Sequence, residues 1–462
     1  MRRIPTLAIP CAGICLVLVA ALVPAAEADQ KLGPGHARYE VALRWHASRW
    51  TLDGSERISF ENTRSHTIRA VWLRLWPNGQ ASCRRPLITV EIVSGGQAGP
   101  SAAACTARKV MLRRELTPGS RAAIRLRFSE RVPLGNESYG HVPGGPALLG
   151  NALPILAVTD RTGTHLEPYS RLGEAAYSLT SSWRVKLDLR RGLTAATTGT
   201  QTGTGSPSSG LRRLRFAASK ARDFELAIGR LHARTTKAGG VRIRFLDMLP
   251  RGSATSKLRR EVLASARTTL LADEQRFGPY GAPELDIVQT PTIDAAGMEY
   301  PEIVFVEMTD SSAGADSWRK TAALTAHEIA HQWFYGLVGD NQWREPFLDE
   351  SFATFVSGFP SHPCKPGHPL AGYPTSVRLT STMGFFDHHP SDDYYGGLYG
   401  GGACALRDLR SGFGPVRFDA FLRHWVDTHR YGVATIPEFV SAIRAAAPSG
   451  FDVDGYLRAS RL

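Results

Sequence analysis

The sequence predicts an α+β protein of two domains, in which an antiparallel β-rich domain precedes a mostly helical domain. Apolar and polar residues alternate in runs along the first half, which is the period of a strand with one buried face. In the second half apolar residues recur every three or four positions, as in amphipathic helices. A chain of 462 residues is also longer than one hydrophobic core usually serves.

The first strand signals lie close to the start of the N-terminal domain, which we expect to span residues 29–237. Tyr39, Val41, Leu43 and Trp45 alternate with polar or small residues, and the following Asp53-Gly54 is a turn signal. Further strand-like runs cover residues 58–60, 71–75, 122–128 and 183–189. Residues 197–210 contain few apolar side chains, so we expect a flexible loop there.

The pattern changes near residues 238–240, which predicts a second domain over residues 238–462. A short strand is expected over residues 241–245, and helical periodicity follows it. The predicted helices cover residues 256–275, 318–334, 347–356, 404–410, 418–427 and 436–446.

The first 28 residues are predicted to be an export signal. Arg2 and Arg3 precede an uncharged stretch over residues 4–26, and Ala26-Glu27-Ala28 fits a cleavage site of small residues. An uncleaved membrane anchor is the alternative, because the apolar stretch is long enough to span a bilayer. Cleavage would leave no stable membrane span, and either outcome predicts an exported protein.

Four cysteines follow the signal: Cys83, Cys105, Cys364 and Cys404. An even number in an exported chain allows two disulfides, although four cysteines permit three pairings. Proximity in the sequence favours Cys83–Cys105 and Cys364–Cys404, and buried free thiols are the alternative.

The charge of the chain is positive without being concentrated. Lys and Arg number 55 against 42 Asp and Glu, a formal net charge of +13. The arginines are scattered rather than grouped with aromatic residues on one element, which argues against nucleic acid as a partner. The sequence does not indicate an oligomeric state.

The most informative segment has the pattern His-Glu-x-x-His. His327 and His331 are four residues apart, so on a helix both imidazoles project from one face and can bind one metal ion. Glu328 can then reach a water molecule bound to that metal. Without a metal, the same pattern would be two histidines on an amphipathic helix.

A third ligand has to come from another part of the chain. Glu350 stands at the start of the next predicted helix and completes a His-His-Glu set, which leaves an open position as catalytic zinc requires. The alternative is an acidic residue placed there by the helix dipole. The sequence predicts one Zn²⁺ per chain.

These segments resemble motifs of a known family. HEIAHQW at residues 327–333 and FLDESFATF at residues 347–355 are similar to the aminopeptidase N family of thermolysin-like zinc metallopeptidases, the gluzincins. GMEYP at residues 297–301 resembles the family's Gly-Met-Glu motif, and residues 39–63 resemble its N-terminal β-saddle. The resemblance implies a β-saddle or sandwich followed by a thermolysin-like catalytic domain, and it covers nearly the whole mature chain.

The resemblance also implies roles for residues. Zinc bound by His327, His331 and Glu350 would activate a water molecule, and Glu328 would take the proton of that water and pass it to the leaving amine. Residues 399–403, YGGGA, resemble the family's catalytic tyrosine segment.

Tyr399 would therefore donate a hydrogen bond to the oxyanion of the tetrahedral intermediate. Tyr394 and Tyr395 are its rivals for that role.

Glu299 would bind the α-ammonium group of the substrate, with Gly297 and Met298 beside it in the binding site. The alternative role of Glu299 is an ion pair at a strand edge. The family's second ammonium-binding residue has no evident counterpart. Ala296 and Gly401 depart from the family motifs, which have Gly and Lys at these positions.

The chain ends at Leu462, from which we expect a short form without the C-terminal helical domain of longer relatives. The predicted function is a secreted zinc metallopeptidase that removes N-terminal residues from peptides, its substrates. One alternative is a zinc endopeptidase or another zinc hydrolase on the same scaffold. The other is a non-catalytic module that binds peptides or polyanions through its positive charge.

Overall fold

The structure is a computed structural model that describes residues 32–294, 296–309, 317–360 and 362–462. The predicted export signal, residues 1–28, lies outside the described residues. The described chain forms a β-rich domain followed by a domain with most of the helices, so the predicted two-domain α+β fold is confirmed.

The first domain is built from short and long strands in several sheets. In chain order its strands are β1 (Gly35–His46), β2 (Thr51–Glu61), β3 (Ile68–Arg74), β4 (Ile88–Ser94), β5 (Gly96–Ala102), β6 (Ala107–Leu116), β7 (Arg121–Arg131), β8 (Tyr139–His141), β9 (Ala147–Leu149), β10 (Ile155–Leu156), β11 (Thr159–Asp160), β12 (Gly163–Thr164), β13 (Ser181–Arg190), β14 (Thr194–Thr197), β15 (Thr200–Gly205), β16 (Leu211–Ala221) and β17 (Leu226–Gly229). The largest sheet has the order β15-β16-β13-β1-β2-β7-β4, and two four-stranded sheets have the orders β10-β3-β6-β5 and β14-β17-β9-β8.

The seven-stranded sheet has one buried and one wet face, as the alternation predicts. Tyr39, Val41, Leu43 and Trp45 of β1 are buried while their neighbours are exposed. One ladder departs from the expected antiparallel pattern, because β1 and β13 run parallel. The chain reaches β13 only after forming β3 to β12, and such a long connection frees the pair from hairpin geometry.

The expected flexible loop over residues 197–210 is wrong in its central part. Residues 200–205 form β15, an edge strand that pairs antiparallel with β16. Strand pairing uses backbone groups, and a wet edge strand of Thr and Gly needs no apolar face to make it.

The second domain begins with a five-stranded sheet and continues with helices. Its strands are β18 (His232–Ala238), β19 (Val241–Asp247), β20 (Glu284–Thr290), β21 (Gly297–Tyr300) and β22 (Ile303–Glu307), in the order β18-β19-β20-β22-β21. Its helices are α1 (Ser253–Phe277), α2 (Ser317–Ala330), α3 (Phe352–Ser357), α4 (Met383–Phe386), α5 (Gly402–Phe413), α6 (Pro415–His429), α7 (Ile436–Ala446) and α8 (Val453–Ser460). The predicted division between residues 237 and 238 falls within the hairpin of β18 and β19.

Two helices differ from their predicted extents at places that matter for the site. The helix predicted over residues 318–334 ends as α2 at Ala330, because the following turn tightens and the amide of Gln332 bonds to the carbonyl of Ile329 at 2.9 Å. The helix predicted over 347–356 begins as a wide π-helical turn at Phe347–Ser351, ahead of α3.

A buried arginine joins the two domains. Arg222, at the end of β16, is 2% exposed, and it donates to the carbonyls of Tyr335 at 2.7 Å and Ser178 at 3.1 Å. It also donates to the carbonyl of Gly432. The Arg222 guanidinium therefore donates to several backbone carbonyls at once. These hydrogen bonds fix the N-terminal domain against the segment that follows α2.

Both disulfides favoured by proximity are formed: Cys83 with Cys105, and Cys364 with Cys404. The second joins the segment after α3 to α5. Within the described ranges, none of the helices has the length and apolar character needed to cross a bilayer.

Replacing Asp273 with Asn is expected to stabilise the protein increasingly as the pH rises. Burial within α1 raises the pKa of the Asp273 carboxyl to about 7, against an opposing contribution from Arg276. Because this pKa lies above its unfolded value, the folded state binds the proton more tightly, and that stabilisation is lost between about pH 4 and pH 7. The neutral amide cannot ionise and therefore escapes this loss.

Thermal unfolding of wild type and Asp273→Asn, measured at pH 5 and pH 8, checks this expectation. The difference in Tm between the proteins should grow by about 2–6 °C over that interval. Glu261→Gln, a partly exposed position on the same helix, is the control and should change little at either pH. A Tm difference that does not depend on pH would contradict the assignment.

Candidate metal centre

Three ligand atoms from two helical elements converge on one point. His327 and His331 project from α2 and the turn that ends it, and Glu350 comes from the turn at Phe347–Ser351. The two Nε2 atoms are 3.2 Å apart, and Glu350 Oε2 lies 3.4 Å from each of them. All three side chains are buried.

This triangle fits a zinc ion. With metal–ligand distances of about 2.0–2.2 Å, a tetrahedral ion separates its ligands by roughly 3.3–3.5 Å. Glu350 Oε2 is buried and accepts no hydrogen bond in the part of the chain that the structure describes, so it is available as a ligand. Two imidazoles and one carboxylate are also a usual donor set for catalytic zinc, with a fourth position left open.

His331 is oriented by a carboxylate behind it. Its Nδ1 atom lies 2.5 Å from Asp349 Oδ1, and Gln342 Nε2 donates to the other oxygen of Asp349 at 2.6 Å. Donation from Nδ1 places the proton there and leaves the Nε2 lone pair facing the triangle. Asp349 was not predicted from the sequence as a partner of His331, although it directly precedes Glu350. No sequence signal distinguished Gln342.

Glu328 faces the backbone of β21. A Cβ atom at Gly297 would lie 2.0 Å from Glu328 Oε1, so only glycine lets the strand pass this close to the carboxylate. Burial raises the pKa of Glu328 to about 8, with His331 acting in the opposite direction and Glu350 and Asp349 adding to the rise. A raised pKa makes the Glu328 carboxylate a stronger base, which suits a residue that accepts a proton from water.

Ala296, the residue before Gly297, stands where the family motif has glycine. Ala296 has a φ of 66°, in the left-handed region that glycine adopts most easily. The family glycine therefore suits the backbone, and alanine occupies the same conformation here at a steric cost.

The three tyrosines of the predicted segment have different environments. Tyr399 is 9% exposed and its ring stacks on His327 with the centroids 5.9 Å apart. Tyr394 is 1% exposed and packs behind it, whereas Tyr395 is 37% exposed and donates to the carbonyl of Leu172 at 3.3 Å.

Tyr399 is therefore the tyrosine best placed beside the triangle. Burial and the neighbouring Glu350 carboxylate raise the pKa of its phenol. The phenol is kept protonated and remains a hydrogen-bond donor.

Glu299 lies close to the triangle and has an acidic partner from the N-terminal domain. The structure brings carboxylate oxygens of Glu174, Glu299 and Glu350 within 4.8 Å of one another. Burial and the charge of Glu174 raise the pKa of Glu299, and burial together with Glu350 and Asp349 raises that of Glu174. A cation between Glu174 and Glu299 would relieve this repulsion.

Glu174 is the functional candidate that sequence reasoning missed. It lies in an irregular segment between β12 and β13, without a motif or a regular period to single it out. The segment is held by contacts with the catalytic domain: the amide of Ala176 donates to Gln342 Oε1 at 3.1 Å, and Arg344 Nε donates to Glu167 at 2.7 Å.

A cleft opens beside this acidic pair. It has a volume of about 750 Å³ with its mouth included, and it is lined by loops of the N-terminal domain together with parts of the catalytic domain. Glu174 and Met298 lie on its wall, whereas Gly297 and Glu299 do not line it.

Comparisons with known proteins agree with the fold and with the motifs. Residues 262–372 match the description "Peptidase family M1 domain". The chain is 27% identical over 200 residues to "Aminopeptidase M1" of Arabidopsis thaliana. This alignment covers 39% of this chain and 23% of that protein. The chain is 29% identical over 190 residues to "Probable aminopeptidase 1" of Saccharolobus solfataricus, which covers 37% and 24%.

The matched segment spans about a quarter or less of the length of these curated relatives. A solved M1 zinc metallopeptidase from Deinococcus radiodurans superposes with a TM-score of 0.62 at 18% identity, covering 93% of this chain and 94% of that one. This likeness establishes a shared fold. The resemblance to the aminopeptidase N family drawn from the sequence is confirmed.

Loss of one of the three candidate ligands should remove the metal. Loss of Asp349, which orients His331, should weaken metal binding. His331→Ala deletes a ligand, so zinc content should fall close to zero after dialysis against a weak chelator. Asp349→Asn leaves all three ligands but removes the acceptor for His331 Nδ1, and zinc affinity should fall by about 10- to 100-fold.

Zinc per chain is measured by atomic emission, and affinity by competition with a chelating dye. Asp419→Asn, on the surface of α6, is the matched control and should bind zinc as wild type does. Full zinc content in His331→Ala would show that the ligand set is wrong.

Proposed function

We propose that the chain belongs to the aminopeptidase N family of thermolysin-like zinc metallopeptidases and removes N-terminal residues from peptides. The match of residues 262–372 to the M1 peptidase domain and the similarity to named aminopeptidases support this proposal. The observation that carries this proposal is the pair of carboxylates, Glu174 and Glu299, next to the candidate metal triangle. Two acidic groups beside the metal triangle favour a substrate whose cationic amino terminus stops there.

Zinc bound by His327, His331 and Glu350 would supply Lewis-acid activation of a water molecule and of the scissile carbonyl. We infer one ion per chain, because the other candidate triads share residues with this one and contain at most one imidazole. Glu328 accepts the proton of the attacking water on its carboxylate and returns it to the leaving amine.

Tyr399 acts on the opposite side of the carbonyl. Its protonated phenol donates a hydrogen bond to the oxyanion that develops as the carbon becomes tetrahedral, a contribution of about 10²–10³ in rate. Tyr394 packs against the Tyr399 ring and holds it in place.

Glu299 and Glu174 hold the α-ammonium group, which fixes the distance from the amino terminus to the scissile bond. Met298 forms part of the wall, and Gly297 leaves room for Glu328. On this account the residues that activate water all come from the catalytic domain, and the N-terminal domain contributes one of the two ammonium ligands.

We also propose that the protein is exported and works outside the cytoplasm. Arg2 and Arg3, the uncharged stretch at residues 4–26 and the small residues near Ala28 support a cleavable signal. Two disulfides in the described part of the chain support an oxidising compartment.

Glu328→Gln should abolish catalysis without removing zinc. The amide has the shape of the carboxylate but cannot accept the proton of the water, so kcat should fall at least 10²-fold. Zinc content, measured on the same preparation, should match wild type. Glu115→Gln, an exposed residue of β6, is the control and should turn over substrate normally. Near-normal turnover by Glu328→Gln would assign the base to another residue.

A second experiment separates an aminopeptidase from an endopeptidase. The ratio of kcat/KM for one peptide with a free and with an acetylated amino terminus should be large in wild type. Glu299→Ala or Glu174→Ala removes a charge-assisted contact to the ammonium group, which should reduce the ratio by about 10- to 100-fold. A ratio near one in wild type would favour the endopeptidase alternative and leave the zinc chemistry intact.

A further inference from the structure

We propose that the cleft beside Glu174 selects a basic first residue in the substrate, arginine or lysine, and that Glu137 binds the charged end of its side chain. This inference rests on the proposed function, because it assigns a substrate class to the same site.

The cleft lies where the side chain of the first residue has to go. Glu174 and Met298 line it, whereas His327, His331 and Glu328 do not. A substrate with its ammonium group at Glu174 and its carbonyl at the metal triangle therefore directs its first side chain into this cleft rather than toward the chemistry.

Glu137 gives the wall of the cleft a negative charge. One of its carboxylate oxygens accepts a hydrogen bond from the Tyr169 hydroxyl, which holds the group in place. Among the described residues no lysine or arginine forms an ion pair with Glu137. A carboxylate positioned by its neighbour but not neutralised by a cation is suited to a cationic ligand.

Other groups reinforce the preference. Asp294 and Glu174 also line the cleft, and burial together with these two carboxylates raises the pKa of Tyr395 to about 12. The field at the mouth is therefore negative, which favours entry of a positively charged side chain.

The walls suit a long side chain with an aliphatic stem and a flat or compact cation. Trp76, Tyr139, Tyr169, Tyr300 and Tyr395 all line the cleft. Aromatic faces pack against methylene groups and attract guanidinium or ammonium ions. Hydroxyl and amide groups of Ser138 and Asn151 add hydrogen-bond acceptors.

Arg171 also lies on the cleft wall, and its positive charge would favour an acidic first residue instead of a basic one. Its side chain is exposed, whereas Glu137 is partly buried. A charge in water is screened more strongly than one in a partly desolvated site, so Glu137 should dominate the selectivity. If Arg171 dominated instead, the preferred first residue would be acidic.

The test compares arginine with citrulline, its uncharged isostere. Dissociation constants of the zinc-loaded protein for L-arginine hydroxamate and L-citrulline hydroxamate are measured by calorimetry. In parallel, kcat/KM is measured for arginyl, citrullinyl, leucyl and glutamyl 4-nitroanilides. Wild type should favour arginine over citrulline by about 10- to 100-fold in both measurements.

Glu137→Gln should bring both ratios to within about threefold of one, and Glu137→Asp should restore part of the preference. Glu91→Gln, the same substitution on the exposed strand β4, is the matched control and should keep the wild-type ratio. Thermal unfolding of each variant establishes that it is folded.

Equal affinity for arginine and citrulline in wild type, or a preference for the glutamyl substrate, would overturn the inference. Rapid cleavage of the leucyl substrate with a ratio near one would overturn the pocket assignment alone. If no nitroanilide is cleaved but arginine hydroxamate still binds more tightly than citrulline hydroxamate, the proposed peptidase activity fails and the basic-residue pocket stands.

Discussion

Repulsion among buried carboxylates is the constraint on which the rest of the site depends. Glu299, Glu328, Asp349 and Glu350 are buried close together, and Glu174 approaches them from the other domain. Negative charges in a medium of low dielectric destabilise the fold unless cations or protons balance them. On the proposed function, a metal ion among His327, His331 and Glu350 and an ammonium group between Glu174 and Glu299 would supply the balancing cations. The same crowding that costs stability without a bound cation therefore creates affinity for the proposed metal and substrate.

The contacts between domains keep this arrangement from relaxing. Arg222 binds several carbonyls of the segments that follow α2 and α6, and Gln342 links Ala176 to Asp349 and Glu299 by hydrogen bonds. Gln342 therefore connects the irregular segment that contains Glu174 with both the support of the metal ligand His331 and the proposed ammonium site. A polar network of this kind has few alternative arrangements, because each buried donor or acceptor that lost its partner would be left unsatisfied.

The sequence predicted the parts of the protein that depend on periodicity or on local spacing. The two-domain fold and α7 follow from apolar patterns. His327 and His331 meet at the end of α2 because residues four apart share a helix face. Prediction failed where long-range pairing or backbone detail decides the structure. No periodic signal marks the parallel ladder of β1 with β13 or the edge strand β15. The same is true of the two π-helical segments, Phe347–Ser351 with Glu350 and Asp393–Gly401 with Tyr399. Glu174 could not be identified for the same reason, since an irregular loop reaches the site only through tertiary contacts.

The origin of Glu174 in the first domain has a consequence for how such a protein can diversify. The residues proposed to break the peptide bond belong to the second domain. Those proposed to bind the first residue of a peptide belong largely to loops of the first domain. Substitutions in those loops can redirect the choice of peptide without disturbing the proposed zinc ligands. Substrate specificity can thus evolve separately from catalytic chemistry within a single chain. Proteins that share the metal triangle need not share the same substrates.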